Sequence, residues 1–149
     1  MSRRDQIKMS PEEADAFLAE QMTLTCATNG RDGFPHLMPL WYVLRDGRIW
    51  AWTYAKSQKV RNLERDPRCT LQVEAGTAYG ELRGVMIRAE CELVHDLEAV
   101  AGIGAELAAR YGGASLGDEL SQAMRRQAAK RVALQFRPRA SATWDHRKL

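Results

Sequence analysis

The chain has 149 residues and a net charge of +3, from 22 lysines and arginines against 19 aspartates and glutamates. This length fits one domain, residues 1–149, and a hydrophobic fraction of 45% is enough for an ordinary globular core. The modest charge allows an anionic ligand but argues against a nucleic-acid-binding protein, in which basic residues are concentrated in a stripe.

Targeting and redox features of the sequence point to the cytoplasm. No apolar run approaches the roughly 20 residues that a membrane span requires, and the polar first residues do not resemble a signal peptide. Cys26, Cys69 and Cys91 each fall in a strand-like apolar run, so we expect buried free thiols in a reducing compartment. No paired spacing of cysteines or histidines is present, so we predict no metal site.

The chain begins with a polar leader, residues 1–9, that we expect to be flexible. Ser10 and Glu13 then form a capping box, and Pro11 occupies the first helical position. This pattern predicts a helix over residues 11–20, whose apolar residues would pack against the core.

Three predicted strands follow, separated by turns that contain glycine. They cover residues 22–28, 34–44 and 49–54. Pro35 and Pro39 interrupt the second strand, and a proline cannot donate a hydrogen bond to a neighbouring strand. We therefore expect that strand to lie at a sheet edge or to contain a bulge.

Two further strands alternate clearly between apolar and polar residues, over residues 68–75 and 81–94. The second of them is long enough to bend, and Gly84 is the candidate position for the bend. A helical pattern over residues 96–111 comes next, and we expect the pair Gly112–Gly113 to end it.

A second helical pattern, over residues 119–130, leads into a last strand over residues 131–138. The count is six strands, most of them joined by short turns, which favours an antiparallel sheet. Alternating strands with few free edges are typical of a barrel. We therefore predict a mainly β protein with flanking helices, of the α+β class, built on a six-stranded antiparallel barrel.

The most informative stretch is residues 50–71, which reads as strand, short helix and strand. An aromatic strand, with Trp50 and Trp52 on one face, is followed at once by cations and a hydroxyl at a predicted helix start. Free backbone N–H groups at a helix start favour an anion, so a phosphate could bind there beside a flat ring. The same pattern is also compatible with a solvated helix that only connects two strands.

Side chains suited to catalysis are not grouped in this sequence. His36 and His95 lie in or beside predicted strands, where a lone histidine is more often structural than catalytic. The glycines do not form the dinucleotide-binding pattern G-x-G-x-x-G. We name no catalytic residue, and we expect a site at which a bound cofactor carries the reaction.

Four segments resemble the pyridoxamine-phosphate-oxidase-like split β-barrel superfamily. They are the strand-turn-strand of residues 29–54, the Lys-Ser-x-Lys-x-x-Asn-Leu-x-x-Asp-Pro block within residues 55–67, Tyr-Gly-Glu at 79–81 and Trp-Asp-His at 144–146. Within the superfamily the chain looks most like the actinobacterial branch that binds the deazaflavin coenzyme F420. The resemblance implies a split β-barrel and a homodimer with cofactor sites at the subunit interface.

The resemblance also implies which residues would bind the cofactor. Some would contact the tricyclic ring, some the phosphate, and some would meet the cofactor from a loop. The ring would lie against Met38, Pro39, Leu40, Trp41, Trp52 and Thr53; the phosphate would be bound by Lys56, Ser57, Lys59, Arg61 and Asn62; the loop residues would be Tyr79, Gly80 and Glu81.

The implied function is an F420H2-dependent reductase that transfers a hydride to a small organic acceptor, with no nucleic acid or membrane as partner. Two alternatives stay open. One is an FMN-dependent oxidase or reductase of the same fold, and the other is a non-catalytic module that binds the cofactor or a tetrapyrrole. Coenzyme F420 carries a polyglutamate tail, and the sequence alone does not show that the lysines and arginines converge on a groove for it.

Overall fold

The computed structural model describes residues 1–112 and 118–149. Its helices are α1 (Arg3–Gln6), α2 (Pro11–Glu20), α3 (Gln58–Arg65), α4 (Leu97–Gly112) and α5 (Asp118–Ala128). Its strands are β1 (Leu24–Asn29), β2 (Pro35–Leu40), β3 (Val43–Arg45), β4 (Arg48–Tyr54), β5 (Arg68–Ala75), β6 (Arg83–Val94) and β7 (Arg131–Asp145). Short 3-10 turns cover Tyr79–Glu81 and His146–Lys148.

The strands form one antiparallel sheet in the order β2-β1-β5-β6-β7-β4-β3. The α+β class is therefore correct, but the sheet has seven strands and not six. The predicted strand over residues 34–44 breaks at Trp41 and Tyr42. Tyr42 leaves the ladder because its N–H donates to the Tyr111 hydroxyl and its own hydroxyl donates to the Leu18 carbonyl.

This break joins the two edges of the sheet. β2 and β3 stand at opposite ends of the strand order, yet only Trp41 and Tyr42 separate them in the chain. Because three peptide units reach at most about 11 Å, the sheet must curl until its edges approach each other at this corner. Pro35 and Pro39 lie on the edge strand β2, as the sequence predicted.

The main hydrophobic core lies inside the curled sheet. Strands from both halves of the sheet order contribute to it, and α2 and α3 add side chains such as Phe17 and Val60. Cys26, Cys69 and Cys91 are buried free thiols in this core, as predicted. Its other buried strand residues are Leu24, Ile49, Ala51, Leu71, Val73, Val85, Ala89, Val132, Leu134 and Phe136.

A second core lies between helices α4 and α5 and the outer face of β4 and β7. Val100, Ile103 and Leu107 of α4 pack there with Trp50 and Trp52. Both helices were predicted at nearly these bounds. Helix α4 ends at Gly112, the first of the two glycines expected to stop it, and Gly113 lies outside the described residues.

Gly104 allows this close approach of helix to sheet. A Cβ atom at Gly104 would lie closer than 3.0 Å to the Trp52 ring and to the Met124 sulfur. We expect Gly104→Ala to lower the free energy of unfolding by about 1–2 kcal/mol, because overpacking displaces these side chains. Gly102→Ala is the matched control: its Cβ would meet only Arg45, at 3.8 Å, so better helix propensity should make it neutral or stabilising. Urea unfolding of both variants tests the pair, and equal destabilisation would contradict it.

Strand β7 continues well beyond the predicted end at residue 138. The register against β6 shifts between Arg88 and Ala89, where Arg139 is left as an extra residue. Such a bulge accommodates Pro138, which cannot donate a hydrogen bond, and lets the pairing resume up to Asp145. The irregularity is therefore here and not at Gly84, the position predicted for the bend. Gly84 lies opposite Trp144, and a Cβ there would overlap the Trp144 ring.

The leader of residues 1–9, which the sequence suggested to be flexible, instead contains α1 and joins the fold. Ser2 and Asp5 form a capping box on α1. Met9 is buried in the main core, and its N–H donates to the Thr143 hydroxyl. The Asp145 N–H donates to the carbonyl of Ile7, so the leader is held against the end of β7. Among the described residues, no helix is both long and apolar enough to cross a membrane.

Candidate functional site

A cleft of about 1140 Å³ lies between the β1–β2 turn and helix α3. Four cations line it: Arg31 from the turn, Lys56 just before α3, and Arg61 and Arg65 on α3. Asp32 and Glu64 are the acidic residues of its lining, so the cleft has an excess of positive charge. Of the residues that the sequence predicted to bind a phosphate, Lys56, Arg61 and Asn62 meet in this cleft.

The start of α3 adds further attraction for an anion. Ser57 is the N-cap residue, but its side chain makes no capping hydrogen bond. The first N–H groups of an α-helix have no partner within the helix, so this end of α3 is open to an acceptor and carries a partial positive charge. The Ser57 hydroxyl oxygen is buried without a hydrogen-bond partner, and Ser57 is not among the residues that line the cleft. In this conformation the Ser57 hydroxyl therefore does not contact the cleft.

Asn62 fixes α3 to the sheet. It is 0% exposed, and its amide nitrogen donates to the Thr28 hydroxyl on β1 at 3.0 Å. Its amide oxygen accepts from Gln58 Nε2 at 2.9 Å. The side chain thus uses its donor and its acceptor within the protein, and its contribution to the cleft is to hold the floor in position.

Lys59 is directed away from the cleft and into the barrel. It is only 7% exposed, and its ammonium donates to the Thr53 hydroxyl at 2.8 Å. Two residues predicted to contact the cofactor therefore form a buried pair behind the cleft. Burial lowers the pKa of Lys59 below 10.5. A hydrogen bond from Cys69 lowers the pKa of the Cys26 thiol, and the Lys59 charge contributes in the same direction.

This lowered pKa should give stability a measurable pH dependence. Between the lowered pKa and 10.5, the unfolded chain binds more protons at Lys59 than the folded chain, so stability rises with pH. As the pH increases through this window, we expect the free energy of unfolding of the wild type to rise relative to that of Lys59→Met, by at most about 1.4 kcal/mol per pH unit. Urea unfolding at about pH 7 and about pH 9.5 measures the gain, with exposed Lys130→Met as the control. The same slope in all three proteins would refute the assignment.

The predicted ring-binding residues of β2 extend away from the cleft along the edge strand. Met38 and Leu40 pair with Cys26 and Leu24 of β1 and share their face of the sheet. At about 3.3 Å per residue, Met38 to Trp41 lie progressively farther from the cleft end of β2. Trp41 is 58% exposed and stacks on Tyr111, with ring centroids 4.3 Å apart.

Trp52 and the loop of Tyr79 and Gly80 do not join this set within one chain. Trp52 points outward from β4, under helix α4, with the Arg131 guanidinium 4.4 Å from its ring centroid. Tyr79 follows β5 at the end of the sheet opposite the cleft, because Cys69 at the start of β5 pairs with Thr28. Tyr79 is 63% exposed, and its carbonyl lies 2.8 Å from a ring nitrogen of His146.

Sequence reasoning missed several residues of the cleft: Arg31, His36, Gln58 and Arg65. Arg31 was interpreted only as part of a turn. His36 was assigned to a strand. Gln58 and Arg65 lie within the block of residues 55–67, at positions that are not part of its motif. The signal that could have identified Arg65 is its spacing of three and four from Asn62 and Arg61, which places all three on neighbouring positions of α3.

No group of three or more potential metal ligands occurs in the two described ranges, 1–112 and 118–149. A family model described as pyridoxamine 5′-phosphate oxidase matches residues 10–145. Among curated proteins, no match was found.

Solved structures give three informative similarities. A conserved hypothetical protein of Mycobacterium tuberculosis, Rv2991, is 40% identical with a TM-score of 0.91, covering 99% of this chain and 92% of its own. An F420 reductase is 23% identical with a TM-score of 0.69, covering 89% of this chain and 98% of its own. HutZ, a heme storage protein of Vibrio cholerae, is 18% identical with a TM-score of 0.69, covering 89% of this chain and 94% of its own. The last two likenesses are likenesses of fold.

Proposed function

Because the chain belongs to the pyridoxamine 5′-phosphate oxidase family, we propose that it is an oxidoreductase that uses coenzyme F420. In its reduced form the bound deazaflavin would supply the hydride, and a small organic molecule would accept it. The chain's own residues would bind, orient and enclose the two molecules. The family match and the similar structures support a fold of the flavin- and deazaflavin-dependent oxidoreductase type.

The observation that carries this proposal is the convergence of cations on the open start of α3. Lys56 and Arg61 line the cleft beside helix N–H groups that Ser57 leaves uncapped. A phosphate accepts hydrogen bonds from all of these groups at once, and charge-assisted bonds of this kind are the strong ones. The residues present thus fit a phosphorylated cofactor. Asn62 would act indirectly, by holding α3 against β1.

The ring would lie along β2. With the phosphate at the Pro35 end of this strand, the sugar-alcohol chain and the ring would extend past Met38 and Pro39 towards Leu40 and Trp41. β2 is an edge strand, and Met38, Pro39 and Trp41 are exposed on or just after it. In this placement the ring would contact Met38, Pro39, Leu40 and Trp41, as the sequence predicted.

FMN is the second candidate cofactor, because its ribityl phosphate presents the same chemistry to the cleft. The similar F420 reductase favours the deazaflavin, and so do Arg31 and Arg65, which extend the cationic lining beyond the two residues that one phosphate needs. A non-catalytic module is the third candidate, in view of the similar heme storage protein. It would bind a cofactor or tetrapyrrole and show no turnover.

We further propose a homodimer whose sites lie at the subunit interface. The outer face of β1, β5, β6 and the second half of β7 is open to solvent, with paired rows of small and apolar residues. One row contains Thr25, Gln72, Met86 and Ala142, and the next contains Ala27, Thr70, Arg88 and Ala140, so Gln72 and Arg88 are the two large polar residues among mostly small or apolar ones. A second copy on this face could bring Tyr79 of the partner subunit to the cleft, which Tyr79 of the same chain does not reach.

The dimer is tested by light scattering coupled to size-exclusion chromatography. We expect the wild type to have the mass of two chains and Ala142→Glu to shift it to one chain, because a buried unpaired charge opposes association. Ala109→Glu, on an exposed part of α4, is the control and should leave the mass unchanged. A wild type with the mass of one chain would exclude the interface.

The cofactor proposal is tested by the contribution of the phosphate to binding. We expect the wild type to bind F420 more tightly than FMN, and each of them more tightly than its phosphate-free analogue. Lys56→Ala and Arg61→Ala should each weaken the phosphorylated ligands by about tenfold or more, as charge-assisted bonds do, without changing the affinity for the analogues. Arg48→Ala, at the exposed first residue of β4, is the control.

Three outcomes separate the candidates. Preference for FMN with the same mutational pattern assigns the FMN alternative. Cofactor binding without reduction of any acceptor assigns the non-catalytic module. If the Lys56 and Arg61 variants keep the wild-type affinity for both F420 and FMN, the phosphate binds elsewhere.

A further inference from the structure

We propose that His36 is a further ligand-binding residue of the cleft, which donates a hydrogen bond from its ring to the phosphate of the bound cofactor. This inference rests on the proposed function, because it assumes that a phosphate occupies the cleft. It assigns a role to a histidine that the sequence pattern suggested to be structural.

The sheet register directs His36 towards α3. His36 pairs directly with Thr28, and directly opposed residues of an antiparallel pair project from the same face. Thr28 accepts a hydrogen bond from Asn62, on the face of β1 that α3 covers. The His36 ring therefore lies on the α3 side of the edge strand, and it lines the same cleft as Lys56 and Arg61.

The hydrogen bonding of the ring indicates which nitrogen is available. Nδ1 of His36 is buried and has no hydrogen-bond partner. A proton on Nδ1 would be a buried donor without an acceptor, which is costly, whereas an unused acceptor is tolerated more easily. The neutral ring therefore favours its proton on Nε2. Because the residue lines the cleft while Nδ1 is shut off from solvent, the Nε2 side is the part of the ring that can meet a ligand.

The backbone around His36 is suited to holding a donor in place. Pro35 precedes it, and the ring of a proline fixes its own φ angle. The β1–β2 turn just before it is closed by the Gly30 N–H, which donates to the Phe34 carbonyl at 3.0 Å. The strand therefore presents the imidazole from a fixed position, across the cleft from the cations of α3. An anion between His36 and these cations would accept hydrogen bonds from two sides.

The test compares ligands with and without a phosphate, FMN with riboflavin and F420 with its phosphate-free analogue. We expect His36→Phe to weaken the phosphorylated ligands five- to tenfold and to leave the analogues unchanged. His36→Gln should retain most of the affinity, because its amide nitrogen can reach the position of Nε2. His95→Phe, at an exposed histidine after β6, is the matched control and should have no effect.

The outcomes distinguish this inference from the function on which it rests. If Lys56→Ala loses the preference for phosphorylated ligands and His36→Phe keeps it, the role of His36 is wrong and the cofactor proposal stands. If His36→Phe weakens FMN and riboflavin equally, His36 acts on the ring or on the fold, and the inference is also wrong. If the wild type binds none of the four ligands, both proposals fall. Circular dichroism confirms folding, and His36→Met replaces the phenylalanine variant if that variant does not fold.

Discussion

Replacing Arg110 by alanine is expected to lower the free energy of unfolding by about 3 kcal/mol, because its guanidinium makes several hydrogen bonds to backbone carbonyls. The guanidinium at the end of α4 donates to the carbonyls of Leu18, Ala19 and Gln21, at 3.3, 3.1 and 2.6 Å. It also donates to the carbonyl of Tyr42 and lies 4.5 Å from the centroid of the Tyr42 ring. One side chain thus connects α4 with the end of α2 and with the corner between β2 and β3.

The size of the effect follows from the hydrogen bonds that these carbonyls lose when the Arg110 guanidinium is removed. The last carbonyls of a helix have no partner within the helix, so Arg110 serves as a cap for α2 from outside it. Tyr42 still donates to two of the same carbonyls, at Leu18 and Gln21, which keeps the loss near 3 kcal/mol rather than higher.

The Arg110 prediction is measured by urea unfolding of three variants. Arg110→Lys keeps the charge but cannot place donors on four carbonyls at once, so it should be intermediate. Arg125→Ala removes a surface arginine that pairs with Glu98, and such pairs contribute about 0–1 kcal/mol. If Arg110→Ala were no more destabilising than Arg125→Ala, the capping role would be refuted.

The second large effect is expected at Gly84, where an alanine should lower the free energy of unfolding by about 3 kcal/mol. The Cβ atom would overlap the ring of Trp144, which lies directly across the β6–β7 pair. An indole ring is rigid, so the whole side chain must move and the strands must separate at this point. The backbone beyond Trp144 resists such a shift, because the N–H groups of Asp145 and His146 donate to the carbonyls of Ile7 and Leu82.

A double-mutant cycle isolates the cause at Gly84. If the overlap with the ring is responsible, Gly84→Ala should cost little when Trp144→Leu is already present, so the two changes would be strongly non-additive. Gly80→Ala is the control, because a Cβ there would meet nothing within 4 Å. Additive losses in the cycle would show that Gly84 is required for its backbone and not for the space it leaves.

Short-range sequence patterns predict much of the fold. The capping box of Ser10 and Glu13 set the start of α2, and the alternation in β5 and β6 identified the residues that enter the core. Pro35 and Pro39 correctly indicated an edge strand, since a proline there removes no interstrand bond. These features are local, so one sequence is enough to find them.

The errors in the fold arise from long-range contacts. Nothing near Tyr42 in the sequence shows that the Tyr111 hydroxyl and the Leu18 carbonyl will accept the hydrogen bonds from Tyr42 that break the strand there. Similarly, Pro138 suggested an end to the last strand, because the bulge that tolerates it depends on the register with β6.

In the candidate site, too, local patterns could be predicted from the sequence and long-range contacts could not. Lys56 and Arg61 could be assigned to one cleft from their positions before and within a short helix. The faces of β4 could not be assigned, because Trp50 and Trp52 form the stronger apolar stripe, yet the smaller Ala51 and Thr53 face the interior. The outer face is the one that α4 covers. The orientation of Lys59 towards Thr53 likewise depends on where α3 docks.

Strand β7 has a consequence for synthesis of the protein on the ribosome. It pairs with β6 on one side and with β4 on the other, so among the described strands it alone links the group β2-β1-β5-β6 to the hairpin of β3 and β4 in the sheet order. Of the described strands it is the last in chain order, so it is translated after the strands with which it pairs. Until it emerges, the nascent chain exposes two unpaired strand edges, on β4 and β6, which are surfaces prone to wrong pairing. The sheet therefore cannot reach its final order until β7 has emerged and paired with both edges.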